Sequence, residues 1–370
     1  MTSMRAALLR AVREPFSVEE VDLLDLEEHR VLVRTHASPF CSTDVTNWDG
    51  GLYKIPPTIL GHASIGEIVE VGAKVEGLSV GQRVVVPGTP ECGRCYFCSI
   101  GEPWQCSELF DLGGIYPDVA RTRDGKLVSC AGCVGGYAEY MSVSENQAFP
   151  IESDLGSDVL SLLGCGITTG VGSVFNVARV RPGESVAIVG AGHIGLWATQ
   201  AARLAQAGSV IVVDPVAARR EAATAYGADH VIDPGGVEAQ AEAAAAVKAL
   251  TGGRGADVVI EAAGPTPAQR LALLVSRRGG RVVYTGLERG GSEVTLPQVE
   301  LALQSRQSLS SQNGHVHMRS DLQRYAGMLE RGELDASRIL TNRYPLEELD
   351  LARERSRTHE DITGLIVFEH

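Results

Sequence analysis

Four cysteines stand at short, regular intervals in one glycine-containing stretch of the 370-residue chain. The spacing is Cys92-x2-Cys95-x2-Cys98-x7-Cys106, which lets four sulfur atoms surround one tetrahedral ion with Zn–S bonds of about 2.3 Å. Four thiolates leave zinc no open position, so the pattern predicts a structural zinc site that folds a lobe at about residues 90–107. An iron–sulfur cluster, here without the bacterial Cys-Pro ending, and redox chemistry are the alternatives.

Three further residues have the side-chain types of an open metal site, although they lie far apart in the sequence: Cys41, His62 and Cys165. Alone, a cysteine or a histidine is more often a packed core residue than a ligand. Together they form the Cys2His set that leaves a fourth zinc position for water or an alcohol oxygen. The sequence therefore predicts a catalytic zinc here, provided that the fold brings the three side chains together.

One more cysteine pair, Cys130-x2-Cys133, has the spacing of half a metal site. Another metal site and a redox switch are possible interpretations of such a pair. Two ligands do not complete a site, so we interpret both residues as incidental thiols.

A glycine-rich loop at residues 190–195 reads Gly-Ala-Gly-His-Ile-Gly. This string is a weak signal by itself, but it follows the apolar strand Ser185–Val189 and begins a helix, as dinucleotide-binding loops do. Its glycines permit the turn, the approach of a pyrophosphate to the helix N-terminus, and close packing of helix on strand. The predicted cofactor-binding residues of the loop are Gly190, Gly192, Ile194 and Gly195.

Asp214 follows the next strand, 19 residues beyond the last glycine of this loop. Its carboxylate accepts hydrogen bonds from ribose hydroxyls and repels a 2'-phosphate, so NAD is favoured over NADP. Arg219 is included among the cofactor-binding residues. Arg219 and Arg220 keep NADP open as an alternative, since either side chain can turn toward a phosphate, and the competing interpretation is a solvated helix face.

The composition is that of a globular protein of about two domains, with 44% hydrophobic and 21% charged residues. A formal net charge of −13 disfavours unaided binding to nucleic acid or to an anionic membrane. The first ten residues do not form a signal peptide, and no apolar run approaches the ~20 residues that span a bilayer. We therefore expect a cytoplasmic protein whose eight cysteines are thiols or metal ligands.

The elements that must position these residues fall into three regions. Up to about residue 150 short β segments dominate, and then strands alternate with helices as in a doubly wound parallel sheet. The last region, from about Leu322 to His370, is expected to return to the first domain. The predicted strands are Val31–Arg34, Gly66–Gly72, Gly81–Val86, Ser185–Val189, Ser209–Val213, Ala256–Glu261, Arg281–Thr285 and Leu365–Phe368; the predicted helices are His193–Gln206, Val237–Leu250 and Asp321–Glu330.

The motifs and their order along the sequence resemble those of the zinc-containing medium-chain alcohol dehydrogenases over essentially the whole chain. The matching segments are Cys41 to Asp44, Gly61-His62 with Gly66 and Gly72, the four-cysteine lobe, Gly-Gly-Tyr-Ala-Glu-Tyr at 135–140, Gly164 to Gly170, and the nucleotide loop. The resemblance implies an α/β protein with a GroES-like β-rich catalytic domain at 1–166 plus 314–370. It implies an inserted Rossmann domain at 167–313, and a homodimer or homotetramer.

The resemblance also implies roles for single residues. Thr43 is the first hydroxyl of a proton relay, Asp44 is a partner of the zinc ligands, and Thr169 lies near the nicotinamide. The implied reaction transfers hydride between NAD and an alcohol or its carbonyl partner, with the alcohol oxygen polarised by one of two zinc ions.

The sequence departs from the family pattern at three places, near the metal ligands, in the proton relay and in the pocket wall. Ala63 follows the histidine ligand where a glutamate is usual, which removes a carboxylate from the surroundings of the metal. Thr46 stands where a histidine often passes the proton to solvent, so His36 or bound water replaces it or the relay ends early. Gly88 and Ala131-Gly132 replace bulky wall residues, which predicts a pocket for a secondary, cyclic or otherwise bulky alcohol, with segment 107–134 as part of its wall.

Two other functions compete with alcohol oxidation. A nicotinamide-dependent reductase of an activated C=C or C=N bond keeps the same fold, but the three ligands and Thr43 argue against it. A non-catalytic NAD-binding protein is the alternative of another class, and such a protein has no need of an intact ligand set.

Overall fold

The chain folds into two compact units in a computed structural model that describes residues 3–51, 56–113, 116–236 and 239–369. Unit 1 comprises residues 1–165 together with 317–370, and unit 2 comprises residues 166–316. The first boundary predicted from the sequence, after residue 166, lies one residue beyond the observed one. The second, after residue 313, lies three residues before it. The chain leaves unit 1 once, forms unit 2 and returns.

The helices and strands are numbered along the chain. Unit 1 begins with β1 Ser3–Leu9, β2 Ser17–Leu23, β3 Arg30–Pro39, α1 Ser42–Trp48, β4 Thr58–Ile59, β5 Ala63–Val71, β6 Arg83–Pro87, α2 Tyr96–Ser99, α3 Ser107–Phe110, β7 Asp118–Thr122, β8 Leu127–Cys130, β9 Tyr140–Ser144, β10 Phe149–Pro150 and α4 Ser157–Leu160. Unit 2 contains α5 Gly166–Gly172, β11 Ser185–Val189, α6 His193–Leu204, β12 Ser209–Val213, α7 Ala217–Ala225, β13 His230–Ile232, α8 Gln240–Leu250, β14 Ala256–Glu261, α9 Thr266–Val275, β15 Ser276–Tyr284, α10 Gln298–Gln304 and β16 Gln307–Ser310. Unit 1 resumes with α11 Met318–Glu330, β17 Leu340–Tyr344, α12 Leu349–Arg357 and β18 Thr363–Val367.

Unit 1 is built from a small closed barrel and a seven-stranded sheet. The barrel has the order β1-β2-β7-β8-β4, and the sheet has the order β10-β6-β5-β3-β18-β17 with β9 also paired to β3. Apolar residues that alternate along these strands form the buried core of the unit, as expected for strands with one face toward a core. Leu8, Ile59 and Val128 are buried in one cluster, and Val33 and Ile68 in another.

Unit 2 contains a six-stranded parallel sheet with the order β13-β12-β11-β14-β15-β16. Two of its strands, Ser185–Val189 and Ser209–Val213, are almost wholly buried on both faces. Their sequences are therefore continuous apolar runs rather than alternating apolar and polar residues. The order reverses between β11 and β14, and ligands bind at such a switch point, outside the carboxyl ends of the strands.

The element boundaries differ from the predicted ones in a few places. Strand β15 starts at Ser276 rather than at 281, because its pairing with β14 resumes on the far side of a bulge. Helix α11 starts three residues earlier than predicted, at Met318. Helix α8 begins at Gln240, and residues 237 and 238 of the predicted helix lie outside the described residues.

Among the described helices, no single one is long and apolar enough to cross a bilayer. One bent pair, 157–164 with 166–178, meets the test of length and composition only when its two parts are taken together.

The pairing of β3 with β5 leaves no room for a side chain at Gly66, because a Cβ there would lie 2.1 Å from the carbonyl oxygen of Arg34. We expect Gly66→Ala to lower the free energy of unfolding by about 1–3 kcal/mol or more, since the strands must separate. Urea denaturation measures the loss. Gly236→Ala is the control: no atom lies within 4 Å of its Cβ position, and its effect should stay within about 0.5 kcal/mol.

Candidate active site

The structure brings Cys41, His62 and Cys165 together, with their ligand atoms all within 4.8 Å of one another. Cys41 is the extended residue before helix α1, His62 directly precedes strand β5, and Cys165 ends the first part of unit 1. His62 Nε2 lies 3.3 Å from Cys165 Sγ. Three segments distant in sequence therefore supply one group of imidazole nitrogen and thiol sulfur donors, the set that suits zinc.

A fully buried carboxylate, Asp44, supports this group. Its Oδ1 accepts hydrogen bonds from the Gly61 N–H (3.1 Å) and from His62 Nδ1 (3.3 Å). Its Oδ2 accepts from the Cys41 N–H (3.3 Å) and from the Tyr137 hydroxyl (2.9 Å). Because Nδ1 of His62 is directed to the carboxylate, the neutral ring would present the lone pair of Nε2 toward the sulfur atoms, as a metal ligand requires.

Glycines place Tyr137 beside this carboxylate. The N–H of Gly136 donates to the Gly61 carbonyl (2.8 Å), and the N–H of Tyr137 donates to the Leu60 carbonyl (3.1 Å). Gly61 has φ +86°, and a Cβ there would lie 2.9 Å from the Tyr137 nitrogen. A Cβ at Gly136 would lie 2.1 Å from Ser64 Oγ. Only glycine allows the two segments this approach.

The electrostatics of the cluster suit a cation. Hydrogen bonding to Cys41 and burial raise the pKa of the Cys165 thiol well above its usual range. Burial opposes protonation of His62, yet Asp44 and Cys165 raise its pKa well above the ordinary value. Without a cation the cluster takes up protons, and a divalent ion at its centre would displace those protons and balance the charge of the thiolates.

The small residues predicted to widen the pocket pack against His62 itself. A Cβ at Gly88 would lie 2.9 Å from the His62 carbonyl oxygen, and a Cβ at Gly132, which has φ +60°, would lie 3.3 Å from His62 Cβ. The buried Gln147 amide donates to the carbonyls of Pro87 (2.8 Å) and Gly132 (3.0 Å), and so ties the two glycine segments together. Close packing around His62 thus explains both glycines, while the width of the pocket stays a prediction.

The proposed relay residues lie at the start of α1. The Thr43 hydroxyl is 3.6 Å from Cys41 Sγ. The Thr46 hydroxyl donates to the carbonyl of Ser42 at 3.2 Å, an ordinary helix contact. His36 Nδ1 lies 3.2 Å from Ser157 Oγ. The proton relay, including the role of Thr43, stays a prediction, and residues 114 and 115 of the predicted wall lie outside the described residues.

The second predicted site is also assembled, because Cys92, Cys95, Cys98 and Cys106 bring their sulfur atoms within 4.8 Å of one another. The sulfur atoms of Cys92 and Cys98 are 3.9 Å apart, near the edge of about 3.8 Å of a tetrahedron with 2.3 Å arms. Burial raises the pKa of Cys98 to about 11. At Cys95 burial acts in the same direction, but N–H donors, including that of Cys98, lower the pKa to about 6. Four donors without an open position fit a structural zinc.

The remaining cysteines belong to the protein interior. Cys130 lies in a hydrophobic core cluster, and its thiol contacts the Pro117 carbonyl at 3.7 Å. Burial raises the pKa of Cys130 to about 12 and that of Cys133 to about 11. Such thiols stay protonated at neutral pH, which agrees with their interpretation as incidental.

In unit 2 the nucleotide loop connects β11 to α6 as predicted. Gly190 has φ +99°, and a Cβ at Gly195 would lie 1.8 Å from the Gly190 carbonyl oxygen. The turn and the packing of helix on strand therefore both require glycine. Thr169, also in unit 2, donates its hydroxyl to Asn313 Oδ1 at 3.2 Å, as does Thr168 at 2.8 Å.

Asp214 is tied to this loop. Its Oδ2 accepts from the Ala191 N–H (2.7 Å) and its Oδ1 from the Val216 N–H (2.8 Å). Arg220 is held by the Asp214 carbonyl (2.7 Å) and by Asp233 (3.0 Å). The Arg219 guanidinium faces the loop, since its Nη1 lies 3.9 Å from the Cβ position of Gly192, and burial lowers its pKa.

The sequence resembles known proteins along its whole length. Residues 27–153 match the alcohol dehydrogenase GroES-like domain, and residues 194–331 match the zinc-binding dehydrogenase family. An S-(hydroxymethyl)glutathione dehydrogenase of Synechocystis sp. is 32% identical over 375 residues, 98% of this chain and 99% of that protein. Geraniol dehydrogenase of Castellaniella defragrans is 31% identical over 375 residues, 99% of this chain and 98% of that protein. Benzyl alcohol dehydrogenase of Acinetobacter calcoaceticus has a crystal structure that matches with a TM-score of 0.90 at 27% identity and covers 100% of both chains.

A β-rich unit with a Cys2His group, joined to a unit with a parallel nucleotide-binding sheet, defines a zinc-binding dehydrogenase. The chain belongs to the zinc-containing medium-chain alcohol dehydrogenases, and it is an oxidoreductase that acts on alcohols. The predicted family, fold class and activity are thereby confirmed. Sequence reasoning missed Tyr137 and Gln147; only Tyr137 lay in a motif that pointed to it, the segment 135–140.

We expect two zinc ions per chain, one in each cysteine group, and the two sites should respond differently to substitution. Cys92→Ser should reduce the zinc content to one and lower the melting temperature, because the lobe depends on its metal. Cys41→Ser should also leave one zinc, but with the fold and cofactor binding retained and turnover lost. Metal analysis, thermal unfolding and steady-state assays measure these effects; equal effects on stability in both variants would contradict the division.

Proposed function

We propose that the enzyme is an NAD-dependent alcohol dehydrogenase for alcohols larger than ethanol, or for their carbonyl partners, with one catalytic and one structural zinc. The observation that carries the proposal is the convergence of Cys41, His62 and Cys165 around a point to which His62 presents Nε2. A non-catalytic protein has no need of this arrangement.

The roles of the residues follow from this geometry. A zinc ion held by Cys41, His62 and Cys165 would act as a Lewis acid toward an alcohol oxygen. Asp44 keeps His62 in the tautomer that leaves Nε2 available. The Thr43 hydroxyl, near Cys41 Sγ, is the group proposed to accept the substrate proton and pass it outward. The intact ligand set favours this reaction over reduction of a C=C or C=N bond.

The proposed substrate size is supported by two relatives. Those relatives are named for geraniol and for benzyl alcohol, both much larger than ethanol. A third is named for S-(hydroxymethyl)glutathione, which is larger still.

We expect kcat/KM to rise from ethanol through longer primary alcohols to branched, cyclic and aromatic ones. The physical reason is additional apolar contact between a larger substrate and its pocket, at about 0.8 kcal/mol for each buried CH2. Steady-state kinetics followed by nicotinamide absorbance give the series, with the metal-depleted, folded protein as control. Ethanol as the best substrate would refute the size proposal, and full activity without zinc would refute the mechanism.

We expect a higher kcat/KM with NAD than with NADP, because the carboxylate of Asp214 repels a 2'-phosphate. Arg219 faces the same loop, so Arg219→Gln should weaken binding of both cofactors without reversing the preference. Titration by cofactor fluorescence measures the dissociation constants. A large loss for NADP alone would show that Arg219 serves a 2'-phosphate and would contradict the NAD assignment.

We further propose a cytoplasmic homodimer or homotetramer, as the family resemblance implies. Light scattering coupled to size-exclusion chromatography distinguishes these states from a monomer.

A further inference from the structure

Tyr137 is a buried residue whose ring and hydroxyl both contact the surroundings of the predicted catalytic metal. Its side chain is 0% exposed, and its ring stacks on Phe40, with centroids 5.8 Å apart and planes inclined by 7°. Phe40 directly precedes the ligand Cys41. The hydroxyl donates to Asp44 Oδ2 at 2.9 Å and lies 3.4 Å from the Pro39 carbonyl.

The bond from Tyr137 is the shortest of the four that Asp44 accepts. The others measure 3.3 Å from the Cys41 N–H, 3.1 Å from the Gly61 N–H and 3.3 Å from His62 Nδ1. The two contacts to Oδ2 fix the plane of the carboxylate, and that plane sets how Oδ1 meets His62. Without the tyrosine hydroxyl, Oδ2 would keep, among the described residues, only the long contact to Cys41, although Asp44 itself is fully buried.

We propose that the Tyr137 hydroxyl is a positioning group for the metal ligand His62 and acts through Asp44. It orients the carboxylate, and so sets the direction of the imidazole. The inference rests on the proposed metal role of Cys41, His62 and Cys165. Ala63 makes the dependence stronger, because the position after His62 contributes no second carboxylate to the site.

The test compares Tyr137→Phe with Tyr344→Phe. Phenylalanine keeps the stacking on Phe40 and removes only the hydroxyl. Tyr344 is a matched control, since it is also buried in unit 1 and donates to a buried carboxylate, Asp361, at 2.5 Å. Zinc affinity is measured by chelator competition, and the visible spectrum of the cobalt(II)-substituted protein reports the ligand geometry.

We expect Tyr137→Phe to weaken one of the two zinc sites by roughly 10–100-fold, the usual cost of losing a partner of a metal ligand. The other zinc should stay bound, the cobalt spectrum should shift, and kcat should fall. Tyr344→Phe should change only stability. Unchanged zinc affinity in Tyr137→Phe, or the same loss in both variants, would overturn the inference.

A double-mutant cycle tests the route through Asp44. In an Asp44→Asn background, adding Tyr137→Phe should change zinc affinity by less than about twofold, because the acceptor of the hydroxyl is already altered. A full additional loss would contradict action through Asp44. If the wild-type protein held no zinc at Cys41, His62 and Cys165, the proposed function would fail. If the wild-type protein holds zinc there and Tyr137→Phe leaves its affinity unchanged, only this inference is rejected.

Discussion

The buried carboxylate of Asp44 is the interaction on which the proposed metal site depends. A charge removed from water is tolerated only when hydrogen bonds replace its hydration. Here the donors come from Cys41, Gly61, His62 and Tyr137, which belong to three separate segments of unit 1. Satisfying this one charge therefore fixes the relative positions of two proposed metal ligands, Cys41 and His62.

Backbone packing provides the framework in which these donors meet. Strand β5 and the segments around it approach one another so closely that side chains do not fit at several positions. Gly61 and Gly136 allow one approach, and Gly88 and Gly132 allow another, at the backbone and Cβ of His62. Close main-chain contacts thus help to position the proposed ligands, because a densely packed interior leaves little room for movement.

Much of this architecture could be predicted from residues close together in the sequence. The four-cysteine lobe and the 190–195 loop depend on local spacing, and strands such as Ser209–Val213 were bounded correctly because a buried parallel strand is a continuous apolar run. The convergence of Cys41, His62 and Cys165 needs pairing between distant strands, which local patterns do not encode. Gln147 lies in no motif at all, because its role is defined by two carbonyl groups rather than by its own neighbours.

The hydrogen bonds of Asp214 have a consequence for cofactor engineering. The carboxylate expected to choose between NAD and NADP also holds the N–H groups of Ala191 and Val216, one in the glycine loop and one before helix α7. Replacing it by a neutral residue to admit a 2'-phosphate would release both groups at once. Cofactor selectivity and the rigidity of the loop therefore depend on the same carboxylate. A successful exchange of cofactor needs a new acceptor for those two amides as well as a new cation for the 2'-phosphate.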